Sequence, residues 1–455
     1  MAHDQRRVVR PYLQATPIAP GCETTLNKKA RMSFSRDEAT FASAHKPHDS
    51  TDEVMARAAR GLIERLRAEG AYRDFLPLHR DNEAYPYAFT HEIEGVHRIN
   101  VFCSNDYLGM SRHPLVLEAA EQTLSKCGLG SGGSRNISGT TVYHAALEEE
   151  MARLHGKEAA LLFSTGYVAN EETLGALAKL MPELILLSDE KNHRSIIEGI
   201  RKSKLRKVIF EHNSIEDMER KLQALPYAAP KMIVIESIYS MDGHVAPLAD
   251  IVRLKHRYNA MIYLDEIHGV GVFGESGAGV AEDCRMAGEI DIIQGGFGKA
   301  YGGTGGYIAG RAELIDAIRL VAPGFIFTTS LPPMLLAGNL AAVRHLRQSN
   351  TERTNLFRNV ALLKQGLLQR GLPVMDSQSH IVPVLIGDAF KCKMICNGLL
   401  GKYGMYVQPI NFPSVNKGQE RLRVIVSSEH SPDDVRAFVD ALADVMSNPT
   451  HACAS

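Results

Sequence analysis

The chain has 455 residues, 45% of them hydrophobic and 23% charged, with a formal net charge of −1. That length predicts roughly two or three domains with ample core, and the charge balance excludes the basic footprint of a nucleic-acid binder or a membrane-surface protein. No apolar run approaches the ~18 residues needed to cross a bilayer. The opening MAHDQRRVVRPY lacks the apolar stretch of a secretory signal, and Asp4, Glu23, Asp37 and Glu38 argue against a transit peptide. A cytoplasmic location is expected, with the mitochondrial matrix as the alternative if the extension does serve as a transit peptide. Seven cysteines, at 22, 103, 127, 284, 392, 396 and 453, are odd in number, scattered and without a CxxC pair. This argues for a reducing compartment and against a disulfide framework or a zinc site, so no metal is expected. HEIEGVH, His91 to His97, misses the zinc-protease HExxH spacing by two positions.

Residues 1–52 mix Ser, Thr, Pro, Ala and charge without periodicity and read as a disordered extension. From Glu53, VMARAARGLIERLRAEG has apolar residues at helical spacing and closes on Gly70. HRINVFC follows as a short strand, so residues 53–104 read as an N-terminal segment packing with the small domain. Over 105–335, HPLVLEAAEQTLSKCG and TTVYHAALEEEMARLHG read as helices, and AALLF, ELILLS, KVIFE, KMIVIES, AMIYLDE and DIIQGG as short, continuously apolar strands. Strands without alternation, separated by helices, predict an α/β fold with a mostly parallel sheet covered on both faces. Residues 336–448 predict a smaller α+β domain: a long helix, the strands HIVPVLIG and LRVIVS, and a final helix PDDVRAFVDALADVM. Residues 449–455 are a tail.

Four stretches can carry chemistry. QGGFGKAYGGTGG, Gln294 to Gly306, sets Lys299 among seven glycines. Glycines remove steric cover, so a bulky group can approach the amine, and a desolvated lysine becomes a nucleophile. The plain alternative is a surface turn with a solvated lysine. MIYLDEIHGVG delivers Asp265 to the carboxyl end of a strand, the edge of an α/β sheet where ligands bind. Alone, such an aspartate more often caps the next helix. Together, a carboxylate and a glycine-flanked lysine 34 residues on are the two parts that a pyridoxal-phosphate site needs. CGLGSGGSRNISGT matches GxGxxG through Gly128, Gly130 and Gly133, but a helical segment precedes it, not the strand of a dinucleotide loop. SDEKNHRSIIEGI places His193 just after a strand, on the same sheet edge as Asp265, where an aromatic face could lie over a planar cofactor.

The stretches EGAYRDF, FCSNDYLGM, GSGGSRNISGTT, LHGKEAALLFSTGYVAN, ESIYSMDG, LDEIHGVG, APGFIFTTSLPP, SHIVPV, YVQPINFP and ERLR resemble the α-oxoamine synthases, from about Glu53 to Met446. These are pyridoxal-phosphate enzymes of the aspartate-aminotransferase fold, fold type I. SRNISGTT, AYR and PINFP resemble the member that condenses glycine with succinyl-CoA to 5-aminolevulinate for heme and other tetrapyrroles. The resemblance implies a homodimer with sites at the interface. It makes Lys299 the Schiff-base lysine and later the general base, pairs Asp265 with the ring nitrogen, and stacks His193 on the ring. It puts Ser240 and His268 at the phenolic oxygen, and the backbone of Gly166 and Tyr167 at the phosphate. Thr328, with Thr329 beside it, would reach the phosphate of the neighbouring subunit. Arg423, assisted by Asn105, would hold the amino-acid carboxylate, and Arg73 and Ser414 the distal carboxylate of succinyl-CoA. Ser134, Asn136, Ile137 and Ser188 complete the implied substrate-binding set. Val407 to Arg423 corresponds to a loop that closes over the substrates.

Several positions depart from the family pattern. Gly296 stands where a threonine usually grips the phosphate. His244 replaces the last Asp of SMDGD. Ser134 replaces the threonine of the glycine-specific synthase, which puts strict glycine use in question. The ending LRVIVSSEH and the loop NFPSVNKG differ as well. Two rival readings remain open. One is a sister synthase joining another amino acid to another acyl-CoA, against which Arg73 argues, because a buried cation has no use beside an apolar acyl chain. The other is a catalytically silent regulator or partner subunit, against which Lys299, Asp265 and His193 argue.

Overall fold

The computed structural model describes residues 50–91 and 98–447. The extension before Ser50, most of HEIEGVH and the tail lie outside the described residues. Helix α1 (Thr51–Ala68) opens on a reciprocal cap: the Ser50 amide donates to Glu53 Oε2 at 2.8 Å and the Glu53 amide to Ser50 Oγ at 3.2 Å. The described cysteines, Cys103, Cys127, Cys284, Cys392 and Cys396, are all free.

In chain order there follow β1 (Tyr87–Phe89), β2 (Arg98–Val101), α2 (Pro114–Cys127), α3 (Val142–Leu154), β3 (Ala159–Phe163), α4 (Gly166–Leu180), β4 (Ile185–Asp189), α5 (Arg194–Ser203), β5 (Arg206–Phe210), α6 (Ile215–Gln223) and β6 (Lys231–Glu236). Next come α7 (Leu248–Arg257), β7 (Met261–Asp265), α8 (Val280–Asp283), β8 (Ile292–Gly296), β9 (Gly306–Gly310), α9 (Ala312–Val321) and α10 (Pro323–Ile326). The central sheet runs β3-β9-β8-β7-β6-β4-β5. All strands are parallel except β9, which is antiparallel to both neighbours.

The six strands read from the sequence are all present, and their continuous apolar character has a simple cause. Successive residues enter cores on opposite faces: Leu162, Ile233, Ile235, Ile262, Leu264 and Ile293 on one, Leu161, Met232, Val234, Tyr263 and Ile292 on the other. Helices α4, α5 and α9 cover the second face through Leu174, Ile196, Ile200, Ile315 and Ile318. The first face is covered by α3, α6 and α7 through Leu147, Met151, Met218, Leu222 and Ile251. Each such side chain gains about 1.5–3 kcal/mol by leaving water. Strand β9 escaped the sequence reading because GYIAG looks like loop. It is glycine-ended because α4 begins against it: a Cβ on Gly306 would lie 2.5 Å from the Cα and N of Gly166.

The C-terminal part holds α11 (Pro333–Leu346), α12 (Thr351–Gln369), β10 (Val382–Leu385), α13 (Ala389–Tyr403), β11 (Met405–Tyr406), β12 (Pro409–Ile410), β13 (Arg421–Val424) and α14 (Pro432–Ser447). The single long helix expected after 335 is in fact two. The chain breaks at RQSN, where Arg353 donates 2.7 Å to the Leu346 carbonyl and closes the junction. Two small sheets, β1-β2-β11 and β10-β13-β12, complete the fold. Strand β13 matters most for the site, because its period of two puts Arg421 and Arg423 on one face.

Candidate active site

Strands β6 and β7 end level at the carboxyl edge of the central sheet, and Glu236, Asp265 and Gln294 are paired in register across β6, β7 and β8. Asp265 is 2% exposed. Its Oδ2 accepts 2.7 Å from Asn170 Nδ2, and its Oδ1 accepts 2.9 Å from the Ile267 amide. Burial raises its pKa, while these donors and Lys299 pull it back. Asn170, on α4, also donates 2.9 Å to Ser195 Oγ and accepts 2.7 Å from the Tyr263 hydroxyl. Neighbouring Glu236 accepts the His193 amide at 2.5 Å, and burial, with Asp265 next, pushes its pKa well up. With fewer donors than Asp265, Glu236 takes a proton first and leaves the charge on Asp265.

Lys299 projects from the loop between β8 and β9. Burial lowers its pKa to about 8, helped by Arg423 and resisted by Asp265 and Glu236. The glycines around it have a different use from the one the sequence suggests. Gly302 (φ 66°) would put a Cβ 2.0 Å from the Ser111 amide, so this glycine lets the loop pack against its own chain. Only at Gly298 is the nearest atom as far as 3.8 Å. A Cβ on Gly296 would sit 2.9 Å from Ile267 Cδ1, so isoleucine fills the space a longer side chain at 296 would need.

His193 sits at the mouth of the site as the residue preceding α5, with Nδ1 2.7 Å from Ser195 Oγ. The Tyr167 ring meets it edge-on at 6.3 Å. Desolvation, then Lys299, lowers its pKa to about 4. His268 is buried, with Nδ1 2.8 Å from the Tyr107 hydroxyl. Burial, then Lys299 and Arg423, hold its pKa well below the usual value, so the ring is neutral at pH 7. Arg423 closes the group: Nε donates 2.6 Å to the Ser240 carbonyl, Nη1 3.0 Å to Asn105 Oδ1 and Nη2 3.3 Å to the Tyr107 hydroxyl. A 318-residue separation thus becomes one hydrogen bond.

Arg73 is exposed in the single chain, not the buried cation expected from the sequence, and its Nη2 donates 3.2 Å to Ser414 Oγ. Both line a cavity of about 680 Å³, together with Met241, Cys396, Tyr406 and Phe412. The loop between β12 and β13, residues 411–420, frames it, and Asn411 Nδ2 ties that loop to the Gly70 carbonyl at 3.1 Å. Other expected residues lie apart in the single chain. Ser134 bridges to Thr329, while Asn136, Ile137, Thr328 and Thr329 are exposed. Ser188 is buried within β4, where its hydroxyl accepts 2.9 Å from Asn192 Nδ2. Asn170, Ser195, Tyr107 and Glu236 were not singled out from the sequence. Asn170 and Tyr107 do lie inside the stretches STGYVAN and FCSNDYLGM, but no spacing rule marks them.

The arrangement fits pyridoxal phosphate. It offers a lysine of lowered pKa and a braced carboxylate at a strand end. Helix α4, 15 residues long, opens on Gly166, where a Cβ would lie 2.6 Å from Ile267 Cδ1, and helix N-termini favour phosphate. Residues 98–442 match the aminotransferase class I and II family. The chain is 50% identical to a 5-aminolevulinate synthase of Rhizobium meliloti over 385 residues, 85% of this chain and 95% of that protein. A second 5-aminolevulinate synthase, from Paracoccus denitrificans, is 49% identical over 388 residues, again 85% and 95%. Among solved structures, the serine palmitoyltransferase of Sphingomonas wittichii superposes with a TM-score of 0.79 at 32% identity, covering 88% of this chain and 99% of that one. A further SPT, carrying pyridoxal phosphate, gives 0.81 at 29% identity, with the same coverage. The chain belongs to the aminotransferase class I and II family, in the company of the 5-aminolevulinate synthases.

Proposed function

We propose that the chain condenses glycine with succinyl-CoA to 5-aminolevulinate, CoA and CO₂, with pyridoxal phosphate as cofactor. The observation that carries the reading is the Arg73–Ser414 pair on the wall of the 680 Å³ cavity, alongside Met241 and so one residue from Ser240, whose carbonyl holds Arg423. Arg423 and Arg73 give the site two guanidinium groups, one for each end of the pair to be joined: the glycine carboxylate and the distal carboxylate of the succinyl group.

Bound at Lys299, the cofactor supplies an electron sink that stabilises a carbanion at the glycine Cα. Lys299, its pKa lowered to about 8, takes the Cα proton and later returns one. Asp265 keeps the negative charge that the cationic ring nitrogen requires, and Asn170 and the Ile267 amide hold that charge in place. Tyr107 links His268 to Arg423, so the neutral imidazole and the carboxylate fork keep a fixed relation. The new carbon–carbon bond forms at the thioester carbonyl as CoA leaves, and loss of the glycine carboxyl as CO₂ balances the reaction.

A homodimer follows from the same reading. Leu129, Ile137, Val142 and Phe327 are 73%, 64%, 78% and 82% exposed, and they lie on the two segments joined by the Ser134–Thr329 bridge. A second copy would cover that apolar face and bring its Thr328 to the site. No helix among the described residues is long and apolar enough to cross a membrane, and we place the enzyme in the cytoplasm.

The test is turnover of purified holoenzyme with glycine, alanine and serine crossed against succinyl-, acetyl- and a long-chain acyl-CoA, with Lys299→Ala as blank. Turnover confined to glycine and succinyl-CoA supports the proposal. Turnover with another pair makes the chain a sister synthase, and none with any pair leaves a silent member of the fold.

A further inference from the structure

His244, the residue that departs from the family pattern, lies on a tight turn after β6, in which the Gly243 amide donates 2.8 Å to the Tyr239 carbonyl. The turn sets His244 against His212, which lies 32 residues earlier in the chain. His212 Nε2 and His244 Nδ1 are 2.8 Å apart, and the two rings lie within 18° of parallel. A carboxylate oxygen of Asp242 joins them, all three ligand atoms lying within 4.8 Å of one another. We propose that His212, His244 and Asp242 form a binding site for one divalent transition-metal ion of the zinc class, with Asp189 orienting His212 from behind.

Three features support a built site over a chance pair of histidines. First, Asp189 Oδ1 accepts 3.0 Å from His212 Nδ1, which fixes the proton on Nδ1 and turns the lone pair of Nε2 toward His244. Asp189 is itself held by the amides of Lys191, at 2.8 Å, and Asn213, at 2.9 Å, so the carboxylate behind the ligand is rigid. Metal-ligating histidines are commonly backed in this way. Second, His244 Nδ1 faces His212 Nε2 directly, at 2.8 Å and with the two rings nearly parallel, so the second nitrogen donor is already in place. Metal entry needs of His244 only that its proton move from Nδ1 to Nε2. Third, Asp242 is buried and held by two cationic side chains. Arg421 Nη1 occupies Oδ1 at 2.5 Å and Lys191 Nζ lies 3.3 Å from Oδ2. A carboxylate has further lone pairs to offer a metal, and Lys191, with its side chain 41% exposed, is free to swing out as the ion enters.

The histidine pair needs little movement, while the Asp242 oxygen, within 4.8 Å of the other two ligand atoms, must close to about 3.3 Å. Tetrahedral zinc with Zn–N of about 2.0–2.1 Å separates two ligand nitrogens by about 3.3 Å, so the 2.8 Å pair opens by roughly 0.5 Å. Water or an anion fills the fourth position. A second group, His113, His345 and Glu352, has ligand atoms equally close. There, however, no second carboxylate among the described residues hydrogen-bonds either histidine from behind, as Asp189 does His212.

The test uses the holoenzyme, stripped with chelator, dialysed and titrated with Zn²⁺ against a chromophoric chelator. Co²⁺ substitution reads the geometry from its visible d–d bands. The expected result is one ion per chain with tetrahedral-type bands, affinity at least tenfold weaker in His212→Ala and His244→Ala, and a loss of about 10–100-fold in Asp189→Asn. His345→Ala should bind as tightly as the parent. Thermal melting and cofactor absorbance confirm that each variant is folded. No stoichiometric ion, parental affinity in folded His244→Ala, or loss in His345→Ala instead would overturn the assignment.

Discussion

Replacing Asn170 by alanine should loosen the cofactor without touching any group that reacts. The deleted bond is a 2.7 Å contact from Nδ2 to Asp265 Oδ2, between groups that are 1% and 2% exposed. A hydrogen bond to a buried charge contributes about 1.5–3 kcal/mol, and each 1.4 kcal/mol is about a factor of ten. Cofactor affinity should therefore fall about 10- to 150-fold, read by the change in cofactor absorbance as pyridoxal phosphate is added to the stripped protein. The deficit should grow as pH is lowered. Burial already raises the pKa of Asp265, and losing a donor to its ionised form raises it further, so the carboxylate becomes scarcer at low pH. Asn170 also accepts 2.7 Å from the Tyr263 hydroxyl and donates 2.9 Å to Ser195 Oγ, and the substitution removes both bonds. Tyr263→Phe removes the tyrosine bond alone and should hold the cofactor within about fivefold of the parent, since a neutral bond contributes about 1 kcal/mol. Parental affinity in Asn170→Ala, or an equal loss in Tyr263→Phe, would refute the role given to the Asp265 contact.

Arg73→Leu should raise KM for succinyl-CoA about tenfold or more while leaving KM for glycine near the parental value, because a charge-assisted bond worth about 1.5–3 kcal/mol is lost only to the distal carboxylate; steady-state kinetics in both substrates check it. In the cofactor-free protein, Lys299 should react with an amine-directed acylating reagent with an apparent pKa near 8, well under that of surface lysines, and Arg423→Gln should raise it, since Arg423 is the second cause of the lowering. Gly296→Thr should weaken cofactor binding, because its Cβ meets Ile267 Cδ1 at 2.9 Å, and Ile267→Val in the same chain should recover at least part of the loss in the same absorbance titration. Ser134→Thr should lower alanine turnover more than glycine turnover, measured as the ratio of kcat/KM values.

Much of this site is legible in the sequence, because a parallel sheet announces itself. Runs such as MIYLD and KMIVIE are apolar at every position, since both faces are covered, and a polar residue at the end of such a run falls on the edge where ligands bind. Asp265 and His193 follow from that logic, and Lys299 from a lone cation among glycines. What supports them does not follow. Asn170 sits mid-helix and Tyr107 in a loop, and each is defined only by a partner 95 or 161 residues away. Strand β9 is hidden by glycines whose cause is the packing of α4. The reading of the Lys299 glycines as space for a ligand fits Gly298, where the nearest atom is 3.8 Å away, but not Gly302, which is required by the Ser111 amide, and no local pattern reveals that. His212 and His244 read as isolated histidines until the turn after β6 brings them together.

The central claim is a carbon balance, and isotope labelling tests it most directly. Holoenzyme should be incubated with succinyl-CoA and glycine carrying ¹³C at either the carboxyl or the α carbon, with CO₂, CoA and product counted together. The account predicts carboxyl label wholly in CO₂, α label wholly in 5-aminolevulinate, and one CoA released for each. Carboxyl label retained in the product, or CoA released without CO₂, would contradict it.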